Sequence, residues 1–195
     1  MSQSTEYLIE KIKKSMPLSA AAELHLKTLV VERKIGKGEV LIHHGQTVRK
    51  TYLVFSGCLR SFCMDKSGKE HTLQFAIKDW WISDFMAIYN GEKATLTVES
   101  LTDSVVLEFN AKELEEIHAL FPEFEPYQRK NLERHVVSLH KRILNQLQLT
   151  AAERYALFVS QYATIEQYTP NYHIASYLGI TQQSLSRIRA EKTKK

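Results

Sequence analysis

A stretch near the end of the printed sequence concentrates hydrogen-bonding side chains at helical spacing. Its members are Thr181, Gln182, Gln183, Ser184, Ser186, Arg187 and Arg189. Glutamine can make paired hydrogen bonds to adenine in the major groove of DNA, and arginine can make them to guanine. A helix with this face is therefore suited to reading the base edges of double-stranded DNA.

Two short helices joined by a tight turn would position these side chains. Gly179 can adopt the left-handed conformation that ends a helix, since it has no Cβ, and Thr181 can cap the helix that follows. Apolar residues occupy the positions that two crossed helices would bury: Ile174, Ala175, Leu178, Ile180, Leu185 and Ile188. Residues 171–190 therefore predict a helix-turn-helix, with an ordinary helical hairpin as the alternative.

The distribution of charge favours the helix-turn-helix. The chain has a formal net charge of +4, and residues 151–195 contribute +3 of it, because they hold six lysines and arginines against three acids. A cationic excess beside the motif is what contact with phosphates requires. A solvated basic tail would give the same excess.

Bulk properties exclude several other classes. No apolar run approaches the roughly 20 residues that span a bilayer, and the N-terminal residues lack the basic-then-apolar order of a secretory signal. Cys58 and Cys63 are too few for a four-thiolate iron–sulfur cluster, and their odd spacing places them on opposite faces of a strand. We therefore expect a cytoplasmic protein with no membrane partner, disulfide, metal site or cofactor.

A glycine-rich region precedes the motif. Six of the seven glycines lie between Gly36 and Gly91, and turn signals there separate runs rich in β-branched and aromatic residues: EVLIHH, TYLVF, CLRSFCM, EHTLQFAI, TLTVES and SVVLEF. Many short strands at regular intervals predict a β-roll or jelly-roll barrel over about residues 20–118. Helical spacing in residues 6–32 predicts a flanking helical segment, so the fold class is α+β.

A long helical segment follows the strands. Apolar residues recur in steps of four, three, four and four at Leu132, Val136, Leu139, Ile143 and Leu147. Such a stripe suits either pairing with a second helix or packing on the β domain. Periodicity alone leaves both open, and the adjacent motif favours a dimerisation helix, because such motifs commonly read two-fold symmetric half-sites.

A predicted capping box, formed by Thr150 and Glu153, starts a new helix after the long one. The predicted domains are a β-roll sensor domain at 1–121, the dimerisation helix at 122–149 and a DNA-binding domain at 150–195.

This order of elements resembles the Crp/Fnr family of transcription factors, named for the cyclic-AMP receptor and the fumarate–nitrate regulator. The resemblance covers nearly the whole chain and is strongest in HIASYLGITQQSLSRIRAE and GEVLIHHGQTVRKTYLVFSGCLRSF. It implies a β-roll like the double-stranded β-helix of cyclic-nucleotide-binding domains, and a homodimer paired through the long helix. It further implies double-stranded DNA, RNA polymerase and a small-molecule effector as partners.

The same resemblance implies roles for the polar residues. By position, Gln182, Gln183 and Arg187 would read bases. Ser184 and Ser186 would lie near phosphates or base edges, and Arg189 would face the DNA backbone.

The family also follows its recognition helix with a β-hairpin wing, whereas the printed sequence continues as RAEKTKK. Either the wing is dispensable, or this basic tail contacts phosphates.

The sensor domain departs from the family pattern at its ligand cassette. Members that bind cyclic nucleotides carry Gly-Glu at the start of this cassette and Arg-Ser-Ala near its end. The matching residues here are Ser83 and Asp84, then Ala94, Thr95 and Leu96. Alanine cannot replace the charged, forked hydrogen bonds of an arginine, so cyclic AMP is not expected to bind in the usual mode. Nearby aromatic residues would form the core or line a pocket for another ligand: Trp80, Trp81, Phe85 and Tyr89.

Two other classes of function are alternatives. A cupin metalloenzyme needs two histidines one residue apart and a glutamate on one strand face, but His43 and His44 are adjacent and Lys50 stands where the glutamate is required. A ligand-sensing or interaction module would keep the β-roll without reading DNA sequence. The polar face at 181–189 favours a sequence-specific, homodimeric transcriptional regulator that is not an enzyme.

Overall fold

The computed structural model describes residues 2–162 and 164–193. The helices α1 to α8 span Gln3–Lys13, Ala20–Leu29, Phe85–Asn90, Ala111–Leu120, Glu125–Gln148, Ala151–Gln161, Asn171–Leu178 and Gln182–Thr193. The strands β1 to β8 span Val31–Ile35, Val40–Ile42, Lys50–Ser56, Leu59–Met64, Glu70–Ala76, Trp81–Ile82, Thr97–Ser100 and Ser104–Asn110. None of the helices in this part of the chain combines the length and apolar character needed to cross a bilayer.

The strands of the described residues form two antiparallel sheets. Their orders are β1-β8-β3-β6 and β2-β7-β4-β5, so strands from distant parts of the sequence lie side by side. β1, for example, pairs along its length with β8, and β4 pairs with both β5 and β7. This winding is the predicted β-roll, and the α+β class is confirmed.

Three hydrophobic clusters organise the chain. The first fills the space between the two sheets, with Tyr52, Leu59, Ile82, Val98 and Val106 among its members. The second lies between the outer face of the roll and α1, α2 and α4. The third combines Cys58, Phe75 and Leu101 of the roll with apolar residues of α6, α7 and α8. The C-terminal helices and the β-roll therefore share one core.

The strand predicted over EVLIHH is wrong at its last two residues. β2 ends at Ile42, and His43 and His44 lie in the exposed turn that follows. The backbone N–H of Gln46 donates to the carbonyl of His43 at 3.2 Å. Gly45 has φ +83°, a left-handed conformation that glycine adopts without strain. No group of metal-ligating side chains suited to a metal ion occurs within the described residues.

Candidate nucleic-acid interface

The turn between α7 and α8 has the predicted geometry. Gly179 has φ +67° and its N–H bonds to carbonyls of the preceding turn of α7. The hydroxyl of Thr181 accepts a hydrogen bond from the N–H of Ser184 at 3.1 Å, which caps α8. The predicted end of one helix and the predicted cap of the next are both confirmed.

The predicted apolar face of the two helices is also confirmed. Ile174, Ala175, Leu178 and Leu185 are buried, and Ile180 and Ile188 pack against the same cluster. The remaining wall of this core comes from α6 and the segment after it, through Tyr155, Phe158 and Ile165. α6 starts at the predicted capping box, where the Thr150 side chain and Glu153 satisfy each other's backbone N–H groups.

The opposite face of α8 is polar and open to solvent. Thr181, Gln182, Gln183, Ser186 and Arg187 are exposed, and Ser184 is half-buried beside the cap. Because Leu185 and Ile188 pack into the core on the opposite side of α8, these exposed side chains project from a helix that is held in place. They form the candidate interface. The basic tail falls partly beyond the described residues, which exclude Lys194 and Lys195.

Arg189 is engaged within its own chain, and its expected contact with the DNA backbone stays a prediction. Its Nε donates to the hydroxyl of Tyr155 at 3.1 Å and to a carboxylate oxygen of Glu166 at 3.2 Å. A further guanidinium nitrogen donates to the side-chain oxygen of Asn171. These contacts tie α8 to α6 and to the start of α7. The structure therefore gives Arg189 a role in holding the three helices together.

The long helix α5 turns its apolar stripe away from its own chain. The exposed fractions are 48% for Leu132, 48% for Val136, 39% for Leu139, 56% for Ile143 and 77% for Leu147. The half-buried side chains of α5 are mostly polar: Gln128, Asn131, His135, Ser138, Arg142 and Asn145. The two stripes lie roughly a third of a turn apart on the helix. The apolar stripe is thus left without a partner within the described residues of the same chain.

The cassette of the sensor domain is organised around Asp84, whose side chain is fully buried. Its Oδ2 accepts hydrogen bonds from the N–H of Thr95 at 2.7 Å, the N–H of Leu96 at 2.9 Å and the Thr95 hydroxyl at 3.1 Å. Its Oδ1 caps α3 by accepting from the N–H of Ala87 at 3.1 Å. Burial alone would raise the pKa of Asp84, but these backbone hydrogen bonds hold it below its ordinary value.

The other cassette residues are also engaged within the chain. Ser83 is buried and donates to the carbonyl of Lys50 at 2.8 Å, and Ala94 is buried in the roll. Lys93, next to Ala94, is exposed and donates to the Thr47 hydroxyl at 2.8 Å. Of the nearby aromatics, Trp80 and Trp81 pack on the two cores, while Phe85 stacks on the exposed Tyr89. The carboxylate of Asp84 therefore already accepts hydrogen bonds from the backbone N–H groups that a bound anion would need.

Replacing Asp84 with alanine is expected to lower the free energy of unfolding by about 3 kcal/mol, since it leaves the backbone N–H groups of Ala87, Thr95 and Leu96 without this acceptor. Denaturant unfolding at pH 7 measures this change, with Glu92→Ala, an exposed position just after α3, as the control. The Asp84 carboxylate stabilises the fold above its unfolded pKa and loses this effect as it protonates, so the difference should shrink below about pH 4. A loss no larger than that of the control would contradict this role.

Comparisons with known proteins find a matching domain and similar regulators. A model of the cyclic nucleotide-binding domain matches residues 32–120. The transcriptional activator protein FnrA of Stutzerimonas stutzeri is 25% identical over 167 residues, which cover 80% of this chain and 68% of FnrA. A solved Crp/Fnr-family transcriptional regulator from Eubacterium rectale is 17% identical with a TM-score of 0.72, covering 91% of this chain and 85% of its own. The chain is therefore similar to regulators of the Crp/Fnr type, and residues 32–120 match the cyclic nucleotide-binding domain.

Another solved structure, FixK2 from Bradyrhizobium japonicum, is 18% identical with a TM-score of 0.72, and the match covers 85% of each chain. The similarity in fold thus extends through the C-terminal helices as well as the β-roll. This chain combines the fold of these relatives with the Asp84-centred cassette described above.

Two arginines of this chain have roles that sequence reasoning missed. Arg142 lies half-buried on α5 and donates hydrogen bonds to both β5 and α7. Arg60 lies in β4 with 1% of its surface exposed and pairs with Glu70 and Glu99. A charged residue within the apolar run CLRSFCM was the available signal for Arg60. The role of Arg142 depends on tertiary contacts, so the local sequence gave no signal for it.

Proposed function

We propose that this chain is a homodimeric transcriptional regulator of the Crp/Fnr type that binds DNA in a sequence-specific manner. The observation that carries the proposal is the exposed polar face of α8, with Gln182, Gln183, Ser186 and Arg187 above a buried apolar anchor. Glutamine and arginine on a helix of this kind are suited to adenine and guanine edges in the major groove. The name of FnrA, a transcriptional activator, supports the same function.

The proposed dimer forms through α5. Five large apolar side chains at coiled-coil spacing are exposed on one side of a helix 24 residues long. Soluble monomers rarely expose contiguous apolar patches of this kind, and a second copy of α5 would bury both stripes in a symmetric interface. Paired recognition helices would then contact half-sites about 34 Å apart, one turn of the duplex.

The proposed regulator does not respond to cyclic AMP in the usual mode. Ala94 offers no charge where the family pattern has arginine, and Asp84 places a carboxylate among the cassette donors. An RNA polymerase contact and a different small-molecule effector belong to the proposal through family resemblance alone.

Calorimetric titration of the chain with cyclic AMP is expected to show no binding at micromolar concentrations, because Ala94 offers the cyclic phosphate no cation where the family pattern has an arginine. Micromolar binding by the unaltered chain would overturn the proposed cassette.

Selection of duplexes from a random-sequence library tests the proposed function. Repeated rounds of binding should enrich a two-fold symmetric sequence whose half-sites are centred about 10 base pairs apart. Failure to enrich any sequence would favour the interaction module that does not read DNA. An enriched sequence without symmetry would reject the dimer while keeping DNA recognition.

A further inference from the structure

The edge of the β-roll that faces the helix-turn-helix is covered by α7. β5 is the outer strand of the sheet β2-β7-β4-β5, and an outer strand leaves a row of backbone groups without strand partners. The hydroxyl of Ser176 accepts a hydrogen bond from the N–H of Thr72 at 2.7 Å and donates to the carbonyl of Glu70 at 2.8 Å. One side chain of α7 thus satisfies two groups on this edge.

Arg142 joins three elements at the same edge. From α5, its guanidinium donates to the carbonyl of Thr72 at 2.8 Å and to the carbonyl of Tyr177 at 3.2 Å, and it also donates to the carbonyl of Leu73. The guanidinium lies 4.4 Å from the centre of the Tyr177 ring. Burial lowers the pKa of Arg142, but an arginine remains charged at neutral pH. This junction links α5, β5 and α7.

A partly buried ionic cluster lies beside the junction. Arg60 contacts Glu70 at 2.8 Å and Glu99 at 2.6 Å. His173 of α7, 5% exposed, places its two ring nitrogens 3.7 Å from Glu70 and 3.8 Å from Glu99. Burial and the nearby Arg60 lower the pKa of His173 to about 3, so the imidazole is neutral at neutral pH. α7, the first helix of the helix-turn-helix, therefore covers the charged side chains of Arg60, Glu70 and Glu99 in the β-roll.

Aromatic rings extend the contact. Phe75 of β5 lies 5.8 Å from Phe158, 6.1 Å from Tyr162 and 5.2 Å from Tyr177, measured between ring centres. Polar and apolar contacts together place one face of α7 against β5. The other face of α7 packs on α8 through Ile174 and Leu178. A fixed α7 therefore fixes the direction of α8.

We infer that Arg142 and Ser176 are positioning residues that hold the recognition helix in a set place on the β5 edge. This inference rests on the proposed function, since it concerns the presentation of α8 to DNA. Gln182, Gln183 and Arg187 remain exposed while α7 is docked, so docking leaves the reading face available. Holding this face in place before binding lowers the entropic cost of association with DNA. The β-roll thereby contributes to DNA affinity without contacting DNA.

Two substitutions test the inference, each with a matched control. Ser176→Ala removes two edge hydrogen bonds, and Arg142→Gln removes the junction. Ser160→Ala on α6 and Arg134→Gln on α5 alter exposed residues that have no hydrogen bond to β5 within the described residues. Hydrogen exchange of the Thr72 amide, followed by NMR, reports docking directly. Affinity for the selected duplex at fixed salt reports its consequence.

We expect the Thr72 amide to exchange about tenfold faster or more in both test variants, and their DNA affinity to fall about tenfold, with neither changed in the controls. Arg187→Ala should weaken DNA binding while leaving Thr72 protected. Unchanged Thr72 exchange in the test variants would overturn the contact. Faster exchange with unchanged DNA affinity would overturn the positioning role. Absence of DNA binding by the unaltered chain would reject the proposed function, and Thr72 exchange would still show whether α7 docks.

Discussion

Ile143→Lys is expected to convert the dimer into a monomer and to lower affinity for the selected duplex by about 100-fold or more. Ile143 lies in the middle of the exposed stripe of α5 and is 56% exposed in the single chain. Pairing two copies would bury one lysine from each subunit opposite the other, which costs desolvation and like-charge repulsion. A monomer contacts one half-site at a time and loses the affinity that two linked sites provide.

Val137→Lys is the matched control for this prediction. Val137 is 51% exposed on the same helix but lies roughly a third of a turn from the centre of the stripe. The substitution adds the same charge at similar exposure, so it should leave both the dimer and DNA affinity intact. Molar mass from light scattering distinguishes the two states. A dimeric Ile143→Lys variant, or equal dissociation by both variants, would reject α5 pairing through this stripe.

Arg187→Ala is expected to cost about 1–3 kcal/mol of binding at the selected site and to relax the preference for one base pair. Arg187 is exposed on α8, one turn after Gln183, and matches the position of a guanine-reading arginine in the family pattern. A guanidinium can make two parallel hydrogen bonds to guanine, whereas alanine can make none. Binding to every single-base variant of the selected site measures both effects.

Arg187→Lys separates base reading from phosphate contact. Lysine keeps the charge but loses the forked geometry, so it should also relax the preference at that base pair. The contrary result is a lysine variant with full specificity and an alanine variant that weakens binding equally on all sequences. That result would make Arg187 a phosphate contact.

Local signals in this sequence were sufficient to predict the helix ends and caps that position the candidate interface. Gly179 lacks a Cβ at a turn that requires positive φ, and Thr150 with Glu153 forms a cap from residues three apart. These interactions depend on neighbours along the chain, so the sequence alone predicts them. The heptad-like spacing of the α5 stripe was equally readable. The surface that this stripe packs against was not readable, because spacing alone does not show whether an apolar helix face packs on its own chain or on a second one.

Long-range contacts account for what the sequence did not predict. Arginine is a residue type that commonly contacts DNA, but folding brings Arg189 next to Glu166 and Asn171, which are distant from it in sequence. Asp84 looked like a degenerate ligand residue, and its role as an internal acceptor depends on the Thr95 and Leu96 N–H groups. β1 falls partly in a segment with helical spacing and forms a strand because it pairs with β8. Tertiary pairing overrides local preference in each case.

The ratio of affinities for the selected duplex and for random duplex, measured at one fixed salt concentration, tests the central claim most directly. Phosphate contacts contribute equally to both complexes, so the ratio isolates the reading of bases by α8. We expect the selected duplex to bind about 1,000-fold more tightly or better. Equal affinities for the two duplexes would contradict sequence-specific recognition by this chain.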